Sequence, residues 1–118
     1  MQKIMVVDDA QFMRVRLTKL LAGHGFEVVE AENGEQAIQI YQTAKPDAVL
    51  MDITMPQKDG LEALGEIRKL DPKAKVIMLT ALGQESMVVQ AIQGGAKDYI
   101  IKPFDPDRVM TALQKTLG

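Results

Sequence analysis

The stretch VLMDITMPQKDG, residues 49 to 60, decides how the chain is read. Taken with Asp47 and Ala48 before it, an apolar run reaches a single carboxylate, Asp52, after which Pro56 and the Asp59-Gly60 pair turn the chain away. A short apolar run bounded by turn residues suits a strand covered on both faces, and an acid at its end then emerges at the rim of a sheet. Four further runs have the same character: IMVV at 4 to 7, FEVVEA at 26 to 31, KVIMLT at 75 to 80 and DYII at 98 to 101.

Helical patterns fill the gaps between these runs. Met13, Leu17, Leu20 and Leu21 share one face of a first helix, and Gly23 and Gly25 suit its stop. Asn33 is the expected N-cap of a second, with Gln36 reaching back and Ala37, Ile40, Tyr41 and Ala44 buried before Pro46. Leu61, Leu64 and Ile67 mark a third that ends before Asp71-Pro72. Val88, Ala91 and Ile92 mark a fourth between Gln84 and Gly94, and Val109, Ala112, Leu113 and Leu117 a fifth from Pro106. This (βα)5 order predicts an α/β, doubly wound fold: a parallel sheet between two helix layers, with function beyond the carboxyl ends of the strands.

At 118 residues the chain fits one domain with one core, 1–118, with no room for a second output domain. An apolar fraction of 47% and a charged fraction of 25% are ordinary for globular domains and exclude a disordered chain. No segment approaches the ~20 apolar residues of a membrane span. The opening MQKIMVVDD is too short in apolar residues and too acidic for a secretory signal, so a cytoplasmic protein is expected. Without cysteine and with one histidine, any metal must be held on oxygen. A net charge of -2 argues against a broad basic face for nucleic acid. The eight methionines are scattered through apolar runs and read as core filling.

The strand ends carry the chemistry. The first ends in Asp8-Asp9, the third in Asp52, the fourth in Thr80, and the fifth leads into Lys102-Pro103. Each has an ordinary explanation alone: a helix cap for Asp9, a turn residue for Asp52, a strand end for Thr80, a solvated charge for Lys102. Together they gather on one rim, where adjacent carboxylates repel unless something neutralises them. Mg²⁺ does this, preferring carboxylate oxygens and water and bridging carboxylates to phosphate. Asp52, alone at mid-rim, is the candidate nucleophile for phosphorus, with Asp8 and Asp9 holding the ion, while Lys102 and the Thr80 hydroxyl stabilise the phosphoryl oxygens.

VVDDAQFMR, MDITMP-x-x-DG, LTA and GAKDYIIKPF resemble the signature segments of the response-regulator receiver domain over nearly the whole chain, and most of all its stand-alone chemotaxis members. The resemblance supplies what residue pattern alone does not. It implies the flavodoxin-like strand order 2-1-3-4-5, Asp52 as phosphoacceptor, and Mg²⁺ (or Mn²⁺) on Asp9, Asp52 and the Thr54 main-chain oxygen, with Asp8 acting through water. Thr80 and Tyr99 would form the switch, Lys102 would pair with the phosphoryl group, and the peptide before Pro103 would be cis. Thr54 and Leu82 would tune phosphoryl loss, and Ala81 is small enough to leave the site open. The output face would be the fourth helix, fifth strand and fifth helix, with Lys97, Tyr99, Phe104 and Arg108. The implied partners are a histidine kinase of the CheA type as donor, the flagellar motor switch protein as target, and a phosphatase. A monomer that binds neither nucleic acid nor membrane is expected.

Three rival readings fit parts of this pattern. A phosphorelay intermediate, or a receiver domain of a longer regulator, stays within the family; the methionine start and the helix ending at Gly118 favour a complete protein instead. An aspartyl-phosphate phosphatase wants a second acid two residues after the nucleophile, where Thr54 stands. A flavin-binding module wants a hydroxyl- and glycine-rich phosphate loop after the first strand and flanking aromatics, where this chain has two acids and few aromatic residues.

Overall fold

The computed structural model describes residues 1–55 and 58–118. Pro56, one of the residues expected to turn the chain from the rim, lies outside the described residues. The five apolar runs form strands β1 (Lys3–Val7), β2 (Glu27–Ala31), β3 (Ala48–Asp52), β4 (Val76–Thr80) and β5 (Asp98–Ile101). They alternate with helices α1 (Gln11–Gly23), α2 (Gly34–Ala44), α3 (Gly60–Leu70), α4 (Glu85–Gln93) and α5 (Pro106–Leu117). All pairings are parallel, in the order β2-β1-β3-β4-β5, the doubly wound flavodoxin-like arrangement expected.

Strand side chains alternate between faces, so an unbroken apolar run feeds two cores at once. Met5, Val7, Val49, Met51, Val76 and Met78 point to the layer of α2, α3 and α4. Ile4, Val6, Leu50, Ile77 and Leu79 point to the layer of α1 and α5. The central strands β3 and β4 are buried throughout, whereas β2 and β5 at the edges are partly exposed. Each fully buried Leu, Ile or Met contributes roughly 1.5–3 kcal/mol of transfer free energy, so the central strands hold their rim residues firmly. Every methionine except exposed Met1 packs in one of the two cores.

Local signals set the helix starts. The side chains of Asn33, Asp59 and Asp105 accept from the backbone N–H of Gln36, Glu62 and Asp107. Gln36 does reach back, but to the Glu32 N–H at 2.9 Å, one residue before the cap.

The buried faces depart from expectation in places. In α2, Ile38 is buried and Ile40 and Ala44 are only half-covered, because the face against the sheet runs 34, 37, 38, 41. In α4 only Ala91 is fully buried and Ile92 is 44% exposed, since this helix covers the edge of the sheet. Leu61, Leu117, Met13 and Leu20 flank the cores rather than fill them. Among the described residues no helix is long and apolar enough to cross a membrane.

The turn after β3 depends on close backbone approach. The Gly60 N–H donates to the Ile53 carbonyl at 2.7 Å, and a Cβ at Gly60 would lie 2.2 Å from the Asp52 carbonyl oxygen. Gly65, inside α3, has nothing within 4 Å of its would-be Cβ. Gly60→Ala is therefore expected to destabilise by about 1–3 kcal/mol or more through overpacking, while Gly65→Ala stabilises by about 0.5–1 kcal/mol through helix propensity. Urea midpoints of the two variants check the opposite signs.

Candidate functional site

Strand register assembles the rim. Val7 lies opposite Met51, so the next residues, Asp8 and Asp52, leave the sheet side by side. Asp52 itself pairs with Leu79 and Thr80 with Ile101, so Thr80 and Lys102 follow one step along the next two strands. Carboxylate oxygens of Asp8, Asp9 and Asp52 come within 4.8 Å of one another. Asp8 and Asp52 are buried and Asp9 is exposed. The five residues singled out from the strand ends thus do converge.

Two buried carboxylates side by side need a counter-charge, and Lys102 supplies it. Its Nζ lies 2.9 Å from Asp8 Oδ2 and 3.2 Å from Asp52 Oδ2. Burial alone would weaken the ammonium, but the hydrogen bond to Asp8 and the charges of Asp52 and Asp8 hold its pKa above the ordinary lysine value. Asp52 is pushed the other way for a carboxylate: burial, supported by the Asp8 charge, raises its pKa despite Lys102 and the Thr54 N–H. The cluster therefore remains unevenly neutralised, with Lys102 leaning on Asp8. Three hard oxygen donors facing one spot fit Mg²⁺, whose preferred ligands are carboxylates and water. The Lys102–Pro103 peptide is cis.

The loops that carry these acids are tied down by residues the sequence reading passed over. Arg14, buried on α1, donates to the Asp8 carbonyl at 2.7 Å and pairs with Glu30 at 3.2 Å, clamping the β1–α1 turn to β2. Lys58 pairs with Glu35 of α2 and Glu66 of α3 and accepts the Gly34 N–H on its carbonyl, anchoring the β3–α3 loop. Arg14 closes the VVDDAQFMR segment and Lys58 holds an unspecified position of MDITMP-x-x-DG, but neither segment tells what those side chains bond; the signal for Arg14 is an arginine on the helix face of Leu17 and Leu21.

On the β4 side, Thr80 is buried, and its hydroxyl donates to Gln84 Oε1 at 2.8 Å. Gln84, just before α4, also accepts from the Ala81 N–H at 2.7 Å and donates from Nε2 to Thr54 Oγ1 at 2.6 Å. Thr54 in turn reaches Asp52 Oδ1 through its own N–H at 3.4 Å. Tyr99 is 38% exposed and lines a groove with Leu82, Val88, Val89 and Ile101 that ends at Thr80. Arg108 bonds the Tyr99 carbonyl at 2.7 Å and pairs with Asp98. Phe104, expected on the output face, is instead buried in the α1/α5 core, with the Arg16 guanidinium 5.2 Å from its ring centre.

Comparison with known proteins agrees with this geometry. Residues 4–114 match the response regulator receiver domain family. The chemotaxis protein CheY of Bacillus subtilis is 56% identical over 117 residues, 98% of each chain. The regulatory protein AtoC of Escherichia coli is 41% identical, with 98% of this chain aligned to 25% of that protein. A CheX–CheY–BeF3–Mg²⁺ complex from Borrelia burgdorferi superposes at a TM-score of 0.94 and 35% identity, covering 99% of this chain and 90% of that one.

The raised pKa of Asp52 has a testable sign. Unfolded, the group titrates near 3.8; folded, it holds its proton to higher pH, so its ionised form destabilises the metal-free fold. That destabilisation is fully present above the raised value and fades as pH falls toward 3.8. Asp52→Asn should therefore raise the thermal midpoint of the chelator-treated protein by a few degrees at neutral pH. The gain should shrink through the mildly acidic range, as calorimetry of the two proteins across pH measures.

Proposed function

The chain belongs to the response regulator receiver domain family, and from that premise we propose that it is a phosphoryl-accepting switch whose acceptor is Asp52. The observation that carries the reading is the meeting of Asp8, Asp9 and Asp52 within 4.8 Å, with Lys102 against two of them and Thr80 on the adjoining strand. In the proposed transfer, an Asp52 carboxylate oxygen bonds to phosphorus while the bond from phosphorus to the donor nitrogen of a histidine kinase breaks. The imidazole leaves with a proton. Asp9, Asp52 and the Thr54 main-chain oxygen would hold Mg²⁺, with Asp8 reaching it through water; when bound, the ion offsets the charge of the phosphoryl oxygens.

The protein's own residues provide position and charge. Lys102 gives an ammonium already poised on Asp52, and its second partner, Asp8, keeps it aimed at the rim. Water-excluding strands on either side hold Asp52 rigid, which is most of what in-line transfer requires. A dianionic product makes bonds to Lys102 and Thr80 that exist in one arrangement of the β4–α4 loop. A coupling of ~1–3 kcal/mol then suffices to change partner affinity several-fold to a hundred-fold at the α4–β5–α5 face carrying Tyr99, Lys97 and Arg108.

Near full-length similarity to CheY supports a stand-alone regulator, residues 1–118, acting in the cytoplasm as a monomer between a CheA-like kinase and the flagellar motor switch, with a phosphatase to reset it. It is a signalling protein, not an enzyme acting on a separate substrate. The alignment to a quarter of AtoC favours one second reading, a receiver serving a longer regulator or a phosphorelay.

Intact mass after incubation with acetyl phosphate tests the chemistry: one phosphoryl group gained, requiring both Mg²⁺ and Asp52 and absent in Asp52→Asn. Leu82, two residues after Thr80 and 79% exposed, has no group to orient an attacking water. Leu82→Glu should shorten the lifetime of the phosphorylated protein several-fold, as decay of the labelled species would show. An unchanged lifetime would remove Leu82 from the tuning role.

A further inference from the structure

The bonds around Gln84 form a unit that no role described above uses. The loop from Ala81 to Gly83 is exposed and packs no apolar side chain into either core. The sheet ladder runs to the Ile53 N–H on the Leu79 carbonyl, and beyond it one side-chain amide ties the β4–α4 loop to the residue two past Asp52. Its oxygen accepts from the Thr80 hydroxyl and the Ala81 N–H, and its nitrogen donates to the Thr54 hydroxyl. The orientation of the amide is settled by Ala81, since a backbone N–H only donates and so must face Oε1. Thr54 Oγ1 at 2.6 Å then faces Nε2 and accepts.

We propose that Gln84 is a positioning residue, a latch that holds Thr80 away from the phosphoryl site and ties the mouth of that site shut through Thr54. This rests on Asp52 being the phosphoacceptor. A hydroxyl has one proton. In this structure the Thr80 proton is committed to Gln84, with the Ala81 carbonyl at 3.2 Å as the other acceptor in reach. It cannot be donated to a phosphoryl oxygen at the same time. A hydrogen bond from Thr80 to a phosphoryl oxygen on Asp52 and the Thr80–Gln84 bond therefore exclude each other, and every unit of free energy in the latch opposes the switched arrangement. The second half of the latch spans from the α4 start to Thr54, whose own N–H bonds Asp52 Oδ1, so the bridge borders the acceptor carboxylate. Removing the amide removes interactions found only in the unphosphorylated arrangement, which shifts the population toward the other one.

Two substitutions separate the halves. Gln84→Ala abolishes both. Gln84→Glu keeps acceptors for Thr80 and Ala81 but loses the donor to Thr54. Amide NMR spectra of the unphosphorylated proteins, compared with beryllofluoride- and Mg²⁺-loaded wild type, read the arrangement directly, and acetyl phosphate uptake reads access. For Gln84→Ala, the signals of Thr80, Ala81 and Tyr99 should move along the line joining free and beryllofluoride-loaded wild type, with uptake several-fold faster. For Gln84→Glu, Thr80 and Ala81 should stay near their wild-type positions. Displacement of the Gln84→Ala signals off that line, or uptake at the wild-type rate, would overturn the latch while leaving the receiver reading intact. Failure of the wild type itself to take up phosphoryl or beryllofluoride would remove both together.

Discussion

Two buried carboxylates, Asp8 and Asp52, stand side by side because the register of β1 on β3 puts them there, and one ammonium, Lys102, reaches both. Removing charges from water costs several kcal/mol each, so gathering this trio is a costly feature of the fold. One positive charge cannot satisfy two negative charges and the exposed Asp9 beside them. Burial leaves Asp52 reluctant to ionise and leaves the site short of positive charge. A divalent cation held there would answer that imbalance; the apolar strands beneath are what make the imbalance tolerable.

Those strands also explain why the site is rigid on one side and adjustable on the other. Asp52 ends a strand buried along its whole length, flanked by β1 and β4. Asp8 is held by Lys102, by the Ala10 N–H and, through its carbonyl, by Arg14. Thr80 ends an equally buried strand, yet the loop beyond it is anchored through the side-chain amide of Gln84 and not by packing. An element held by a few hydrogen bonds, each worth roughly 0.5–1.5 kcal/mol, can exchange partners at an energy that a new phosphoryl contact supplies. An element held by core side chains cannot.

The edge position of α4 and β5 continues the same logic. α4 buries little beyond Ala91, and β5 exposes Tyr99 and Ile101 beside Leu82 and Val89. This leaves an apolar groove leading from Thr80 to the surface, and Arg108, paired with Asp98, bonds the carbonyl of Tyr99 in its lining. Among the described residues, Ala81 to Gly83 add no side chain to either core, so a shift of the β4–α4 loop would be felt first along this groove.

Much of this was legible in the sequence. The five strands and five helices could be read from apolar runs and caps, since strand alternation, helical spacing and capping side chains act over a few residues. The rim residues Asp8, Asp9, Asp52, Thr80 and Lys102 could be read as well, because each sits where an apolar run ends. Which helix face turned inward was decided by neighbours: Ile38 displaced Ile40 once α2 lay against the sheet, and Ile92 stayed exposed at the edge. Phe104 entered the core among side chains that α1 and α5 bring together only in the fold. The roles of Arg14, Lys58 and Gln84, as distinct from their presence, were not legible, for a stricter reason. Their partners lie as far as 30 positions away, as Gln84 and Thr54 do, and a hydrogen bond depends on where two atoms meet in space, which only the folded sheet determines.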